Sequence, residues 1–193
     1  MNRLSGFTGL VVAALVTTGC SLVAPNYSAS IENVQRIKQE NISPSAVKRF
    51  SSVAGKDNPA TISLRGSSLA SPYEGSYSAY LTEAVRQELA LAGKLDPDSG
   101  IELTGSLVRN DIDASGFSTA FGEMEARFIL TRDGQIRYDQ VKSVRTEWES
   151  SFAGAIAIPK AQQEYPRLVQ KLLSALFADR AFMDALKPMA VQP

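Results

Sequence analysis

The chain has no histidine, a single cysteine, a single tryptophan and no net charge. Without histidine there is no neutral-pH general base of the commonest kind, no nucleophile–histidine dyad or triad, and no imidazole ligand for zinc or copper. One cysteine cannot close an internal disulfide or build a thiolate metal site, so its purpose has to be sought in its immediate neighbourhood. Twenty basic residues balance twenty acidic ones. No net field is present to draw in nucleic acid, and nucleic acid is not expected as a partner. What the chain does have is enough apolar sequence, 44% of 193 residues, to bury one core of ordinary size.

The first twenty residues carry the most specific signal. Arg3 and the amino terminus precede an apolar run from Phe7 to Val16, which has the length of a signal-peptide core and is too short to span a bilayer. Thr17-Thr18-Gly19-Cys20 follows. Small residues ending in cysteine at this place resemble the lipobox of bacterial lipoproteins, with Thr17 in the position usually held by leucine. The alternative is an ordinary secretory signal with a stray or buried cysteine. The resemblance implies recognition by signal peptidase at Thr17, Thr18 and Gly19, cleavage before Cys20, and a diacylglycerol thioether plus an acyl chain on that residue. Two or three such chains hold a protein on a membrane almost permanently, at about 0.8 kcal/mol per buried methylene. Position 21 is serine, and the family's inner-membrane retention signal would have aspartate there. The resemblance therefore implies the outer membrane, facing the periplasm.

Beyond Cys20 the chain reads as a tether over 20–60 and a folded domain over 61–193, with 1–19 as the removed signal. Serine, asparagine and alanine are frequent in the tether, and Pro25, Pro44 and Pro59 interrupt it. A short amphipathic helix in SIENVQRIKQE, capped by Ser30 or Asn33, and a strand near Val47 to Val53 are weak features within it.

Periodicity is clearer from Thr61 onwards. A strand begins at Thr61 to Leu64, and Ser71-Pro72-Tyr73-Glu74-Gly75 turns the chain. In SYSAYLTEAVRQELALAG, Tyr77, Leu81, Ala84, Val85, Leu89 and Ala92 share one side, while Glu83, Arg86, Gln87 and Glu88 fall mostly on the other. That is the rhythm of an amphipathic helix closed by Gly93. Alternation then marks strands around Ile101 to Leu107, Met124 to Leu130 and Ile136 to Trp148, with Asp133-Gly134 as a hairpin turn. A leucine stripe from Tyr165 to Phe177, with Pro166 in its first turn, marks the last long helix, and Ala181 to Leu186 a short closing one. The expected fold is α+β: a mostly antiparallel sheet in the order strand, helix, three-strand meander, helix, with two helices on one face.

These features are similar to two groups of small proteobacterial lipoproteins. The closing segment SSFAGAIAIPKAQQEYPRLVQKLLSALFADRAFMDAL resembles the YajG-type family, which implies an envelope lipoprotein. The order of elements over residues 60–178 resembles the lipopolysaccharide-assembly lipoproteins, which implies a lipid or glycolipid ligand and the work of a carrier. Auxiliary lipoproteins of lipid transporters belong to the same class of expectation.

No catalytic pattern accompanies these likenesses. Asp96-Pro97-Asp98-Ser99-Gly100 opens like a calcium loop, but the closing glutamate position is Leu107. Asp111 and Asp113 fall on one solvated strand face, and Ser45-Ala46-Val47-Lys48 lacks the companion elements of penicillin-recognising enzymes. The expectation is a non-enzyme without metal or cofactor, whose partners are the membrane through Cys20 and an envelope protein. Candidate partner-binding residues lie in two apolar loops. One is Trp148 to Pro159, with Phe152, Ile156 and Ile158, which reads either as a buried connector or as an exposed docking patch. The other is Ala114 to Phe121, with Phe117 and Phe121.

Overall fold

The computed structural model describes residues 21–56 and 58–189. The positions read from the sequence as a signal peptide and lipobox, Cys20 included, lie outside the described residues.

Twelve elements follow one another: β1 (Ser21–Val23), α1 (Ile31–Gln39), β2 (Ala46–Val47), β3 (Ser51–Ser52), β4 (Ile62–Leu64), β5 (Ser67–Ala70), α2 (Tyr77–Leu91), β6 (Ile101–Asp113), β7 (Thr119–Arg132), β8 (Gln135–Glu149), α3 (Gly154–Phe177) and α4 (Arg180–Leu186). The fold is α+β. The meander β6-β7-β8 is antiparallel, as the alternation required, and its register places Leu103 opposite Leu130 and Met124 opposite Val144. Asp133 and Gly134 both have positive φ, the backbone that an Asp-Gly hairpin favours.

One face of the meander is covered. Leu103, Leu107, Met124, Ala126, Phe128 and Leu130 are buried against α2 and α3, while Arg109, Glu123, Arg127, Asp139 and Arg145 pair across the open face. Gly105 leaves space where a side chain would meet the Phe50 ring and the Arg127 carbonyl, and Phe50 fills it edge-on to Phe128.

Residues 21–60 are not a tether. β1 pairs in parallel with β5, and β2 and β3 pair in parallel with β6, extending the main sheet. The helix over Ile31–Gln39 forms as expected, with Ser30 as its cap. It packs on α2 and α3 because Asn33 donates to the Gln170 carbonyl and to Glu88. Glu88 itself is buried, not on the wet side of α2. Its Oε1 accepts from the Tyr27 hydroxyl at 2.6 Å, the Ser30 N–H at 3.0 Å and the Asn33 amide at 3.3 Å. A buried carboxylate is tolerable only with such donors. Here they all come from the amino-terminal segment, which is thereby fastened to the body.

Two further differences concern element order. β4 belongs to a second, small sheet in the order β1-β5-β4 rather than to the meander. The last long helix starts at Gly154, twelve residues before Pro166, and carries Pro159 and Pro166 within it. Small buried residues, Ala157 and Ala161, extend its inner stripe toward the amino terminus where no leucine announces it. No helix among the described residues is long and apolar enough to cross a membrane.

Candidate functional site

The two apolar loops of the sequence come together at one end of the molecule. The β6–β7 loop is a tight structure. Asp113 Oδ1 accepts from the Ser115 backbone N–H at 2.9 Å and from its hydroxyl at 2.6 Å. These two bonds, assisted by Arg145, hold the Asp113 carboxyl below its ordinary pKa. Gly116 presses so closely on Thr119 that a Cβ would lie 2.1 Å from the Thr119 carbonyl oxygen. The β8–α3 loop is bound to it by the Ser150 N–H, which donates to the Ser118 carbonyl at 2.8 Å.

A third segment locks the pair. Arg65 spreads its guanidinium over three carbonyls: Nε donates to Ala114 at 2.5 Å, Nη2 to Gly116 at 2.5 Å and Nη1 to Phe152 at 2.6 Å. This residue and Gly66 form the two-residue turn between β4 and β5, with φ of 50° and 85°. Turns with both central φ positive favour asparagine, aspartate or glycine, and a long side chain there is strained by about 1 kcal/mol. The three hydrogen bonds offset that cost.

The result is an aromatic tip. Phe117 and Phe152 stack with centroids 5.3 Å apart and planes 6° from parallel, yet they remain 73% and 74% exposed. Ile156, on the first turn of α3, is 62% exposed. Three large apolar side chains are thus left exposed at this end of the molecule, on segments joined through the Arg65 hydrogen bonds.

The other two candidates lie elsewhere. Ile158 is half-buried and packs against the core, because it falls on the inward side of α3 beside Ala157. Phe121 is half-buried on the open face of the meander, with the Arg145 guanidinium 4.2 Å from its ring centroid. Thus the segment Phe152–Ile158 is neither a connector nor a strand end. It is two loop residues, Phe152 and Ala153, followed by a helix start, exposed on one side and core on the other. Arg65 was not a sequence candidate, and the only local sign of it is an Arg-Gly pair where an Asn-Gly would be expected between two short strands.

The remaining surface offers open clefts. One, of about 530 Å³, is lined by Arg49, Tyr73, Glu74, Thr82, Glu83 and Arg86, and Arg49 pairs with Glu74 at its rim. Asp111 and Asp113 are exposed. Among the described residues no three metal-ligating side chains converge.

No family model and no curated protein matches the sequence. Among solved structures, the chain is similar to a Xanthomonas campestris protein of the DUF330 family, with 15% identity, a TM-score of 0.55 and coverage of 85% of this chain and 96% of that one. It is also similar, at a TM-score of 0.43 and 15% identity, to a Caulobacter crescentus CB15 protein described as a candidate lipoprotein, over 82% of this chain and 99% of that one. The Xanthomonas likeness shows that the fold recurs.

Proposed function

We propose that this chain is a lipid-anchored lipoprotein on the periplasmic face of the outer membrane, with a binding rather than catalytic role in assembling or maintaining the cell envelope. The anchor reading is supported by Thr17-Thr18-Gly19-Cys20 after a signal-length apolar run. The observation that carries the binding role is the clamped tip of Phe117, Phe152 and Ile156, where exposed apolar area is concentrated and held rigid. A carrier would instead need an enclosed apolar cavity for its cargo, and the cleft described above is open, with the Arg49–Glu74 ion pair at its rim.

The test is native mass spectrometry of the protein extracted gently from its own membranes through a carboxy-terminal tag. The expected species is a chain beginning at Cys20 with a diacylglycerol and an acyl chain, accompanied by a stoichiometric envelope protein. An unmodified Cys20 would overturn the anchor. A lipidated chain holding a further non-covalent lipid, with no protein, would overturn the docking role in favour of a carrier.

A further inference from the structure

We infer that the aromatic tip seats in the same bilayer as the lipid on Cys20, so that the domain stands on the membrane by two points and not by one. The inference rests on the anchor reading above and adds the partner of the tip.

The first support is the place where the chain enters the fold. Ser21 is already in β1, paired with Ser68 of β5. Covalent geometry keeps the Cα of residue 20 about 3.8 Å from that of Ser21. Ser68 lies three residues after Arg65, and the Arg65 guanidinium holds the Gly116 and Phe152 carbonyls. From the lipidated residue to the tip, the path is therefore one strand pairing, one turn and one side chain, on the order of 20 Å. A second path agrees. Gln162 of α3 donates to the Val23 carbonyl at 2.5 Å, and Ile156 lies six residues earlier on the same helix, about 9 Å along its axis.

With residues 21–60 folded onto the body, no slack remains between the anchor and the domain. A lipid on Cys20 brings that end of the molecule against the membrane surface. The large apolar side chains exposed there are Phe117, Phe152 and Ile156, with Ser115 and Ser118 of the β6–β7 loop exposed beside Phe117 in the chain. Phenylalanine and aliphatic side chains enter the boundary between headgroups and acyl chains, while hydroxyls stay among the headgroups. Each apolar group that enters this boundary adds to a hold that the lipid on Cys20 already supplies.

The experiment uses the full chain, purified from membranes with its lipid and reconstituted in vesicles of phosphatidylethanolamine and phosphatidylglycerol. With the Cys20 thiol capped by diacylglycerol, a new cysteine is unique. Ala155→Cys places an environment-sensitive dye beside the tip at an exposed position and leaves Phe117, Phe152 and Ile156 in place. Ile136→Cys, 62% exposed next to the β7–β8 turn, places it at the other end of β7, roughly 45 Å away. The dye at 155 is expected to shift to the blue and lose most of its emission to nitroxide-bearing lipids, while the dye at 136 is unaffected. Adding Phe117→Ser and Phe152→Ser should restore emission at 155 without changing the thermal midpoint. A lipidated, vesicle-bound chain whose dye at 155 stays in water overturns the inference and leaves the anchor standing. A dye shielded from aqueous quencher but untouched by lipid nitroxides, together with cross-linked dimers, assigns the tip to a second copy and also overturns it. A chain that does not float with vesicles and carries no lipid on Cys20 overturns the anchor, and the inference with it.

Discussion

Replacing Arg65 by asparagine separates the two roles that meet at that residue. Asparagine is at ease with positive φ at the first position of the turn, so the substitution relieves about 1 kcal/mol of backbone strain. It also removes three hydrogen bonds from a charged donor to the Ala114, Gly116 and Phe152 carbonyls. Such bonds are worth about 1.5–3 kcal/mol when buried, and about 1 kcal/mol each in the part-buried and exposed settings found here. The net expectation is a loss of about 2 kcal/mol, roughly thirtyfold in the folding equilibrium and about 4–8 °C in the thermal midpoint for a chain of this size. Urea unfolding gives the stability. Hydrogen exchange gives the location, because the faster exchange should be confined to residues 114–118 and 150–156. Arg65→Lys should exchange like Arg65→Asn in both loops, since a single ammonium cannot span three carbonyls. An Arg65→Asn protein as stable as the parent, with unchanged exchange in both loops, would refute the clamp.

Other substitutions probe the frame that positions the tip. Glu88→Leu should cost about 3–5 kcal/mol in urea unfolding, because it strands the Tyr27 hydroxyl, Ser30 N–H and Asn33 amide without their acceptor. Exchange should rise first across residues 27–40, and Glu88→Gln, which keeps an acceptor oxygen, should lose clearly less. Gly105→Ala puts a Cβ 2.1 Å from the Arg127 carbonyl oxygen and 3.2 Å from the Phe50 ring, so it should destabilise by about 2–3 kcal/mol through overpacking in a thermal melt. The Asp179 carboxyl is held below the usual range chiefly by the Lys142 ammonium at 2.5 Å, with the Tyr138 hydroxyl and Ala181 N–H assisting. A depressed carboxyl stabilises the fold above the ordinary aspartate pKa, near 4, and that stability disappears as the pH falls through the lower folded value. Lys142→Met should therefore destabilise the protein more at pH 7 than at pH 2, in melts run across that range.

The tip was legible in part. Phe117, Phe152 and Ile156 stood out as apolar residues in loops, but nothing local tells that Phe117 stacks on Phe152, 35 positions away, or that Arg65 joins them. Ile158, two residues from Ile156, was indistinguishable from it until the helix was seen to start at Gly154 and turn one inward and the other out. The amino-terminal segment was misjudged for a related reason. Its serines and asparagines look solvated, yet the Ser30 backbone N–H and the Asn33 side-chain amide donate to a buried glutamate of another helix, and the Ser30 hydroxyl is taken up as the cap of α1.

By itself the sequence determined most of what depends on near neighbours along the chain. The period-2 alternation laid down the meander, Asp133-Gly134 turned it, the 3.6-residue stripe made α2, and Thr17 to Cys20 carried the resemblance to a lipobox. The tertiary structure decided what depends on pairs far apart: that β1 docks on β5, that Glu88 is inside, and that one arginine in a strained turn gathers two loops into a tip. Local periodicity reports which face of an element is apolar. Partners separated by tens of residues are chosen by packing and by the need to satisfy each buried polar group, and those choices exist only once the chain has closed on itself.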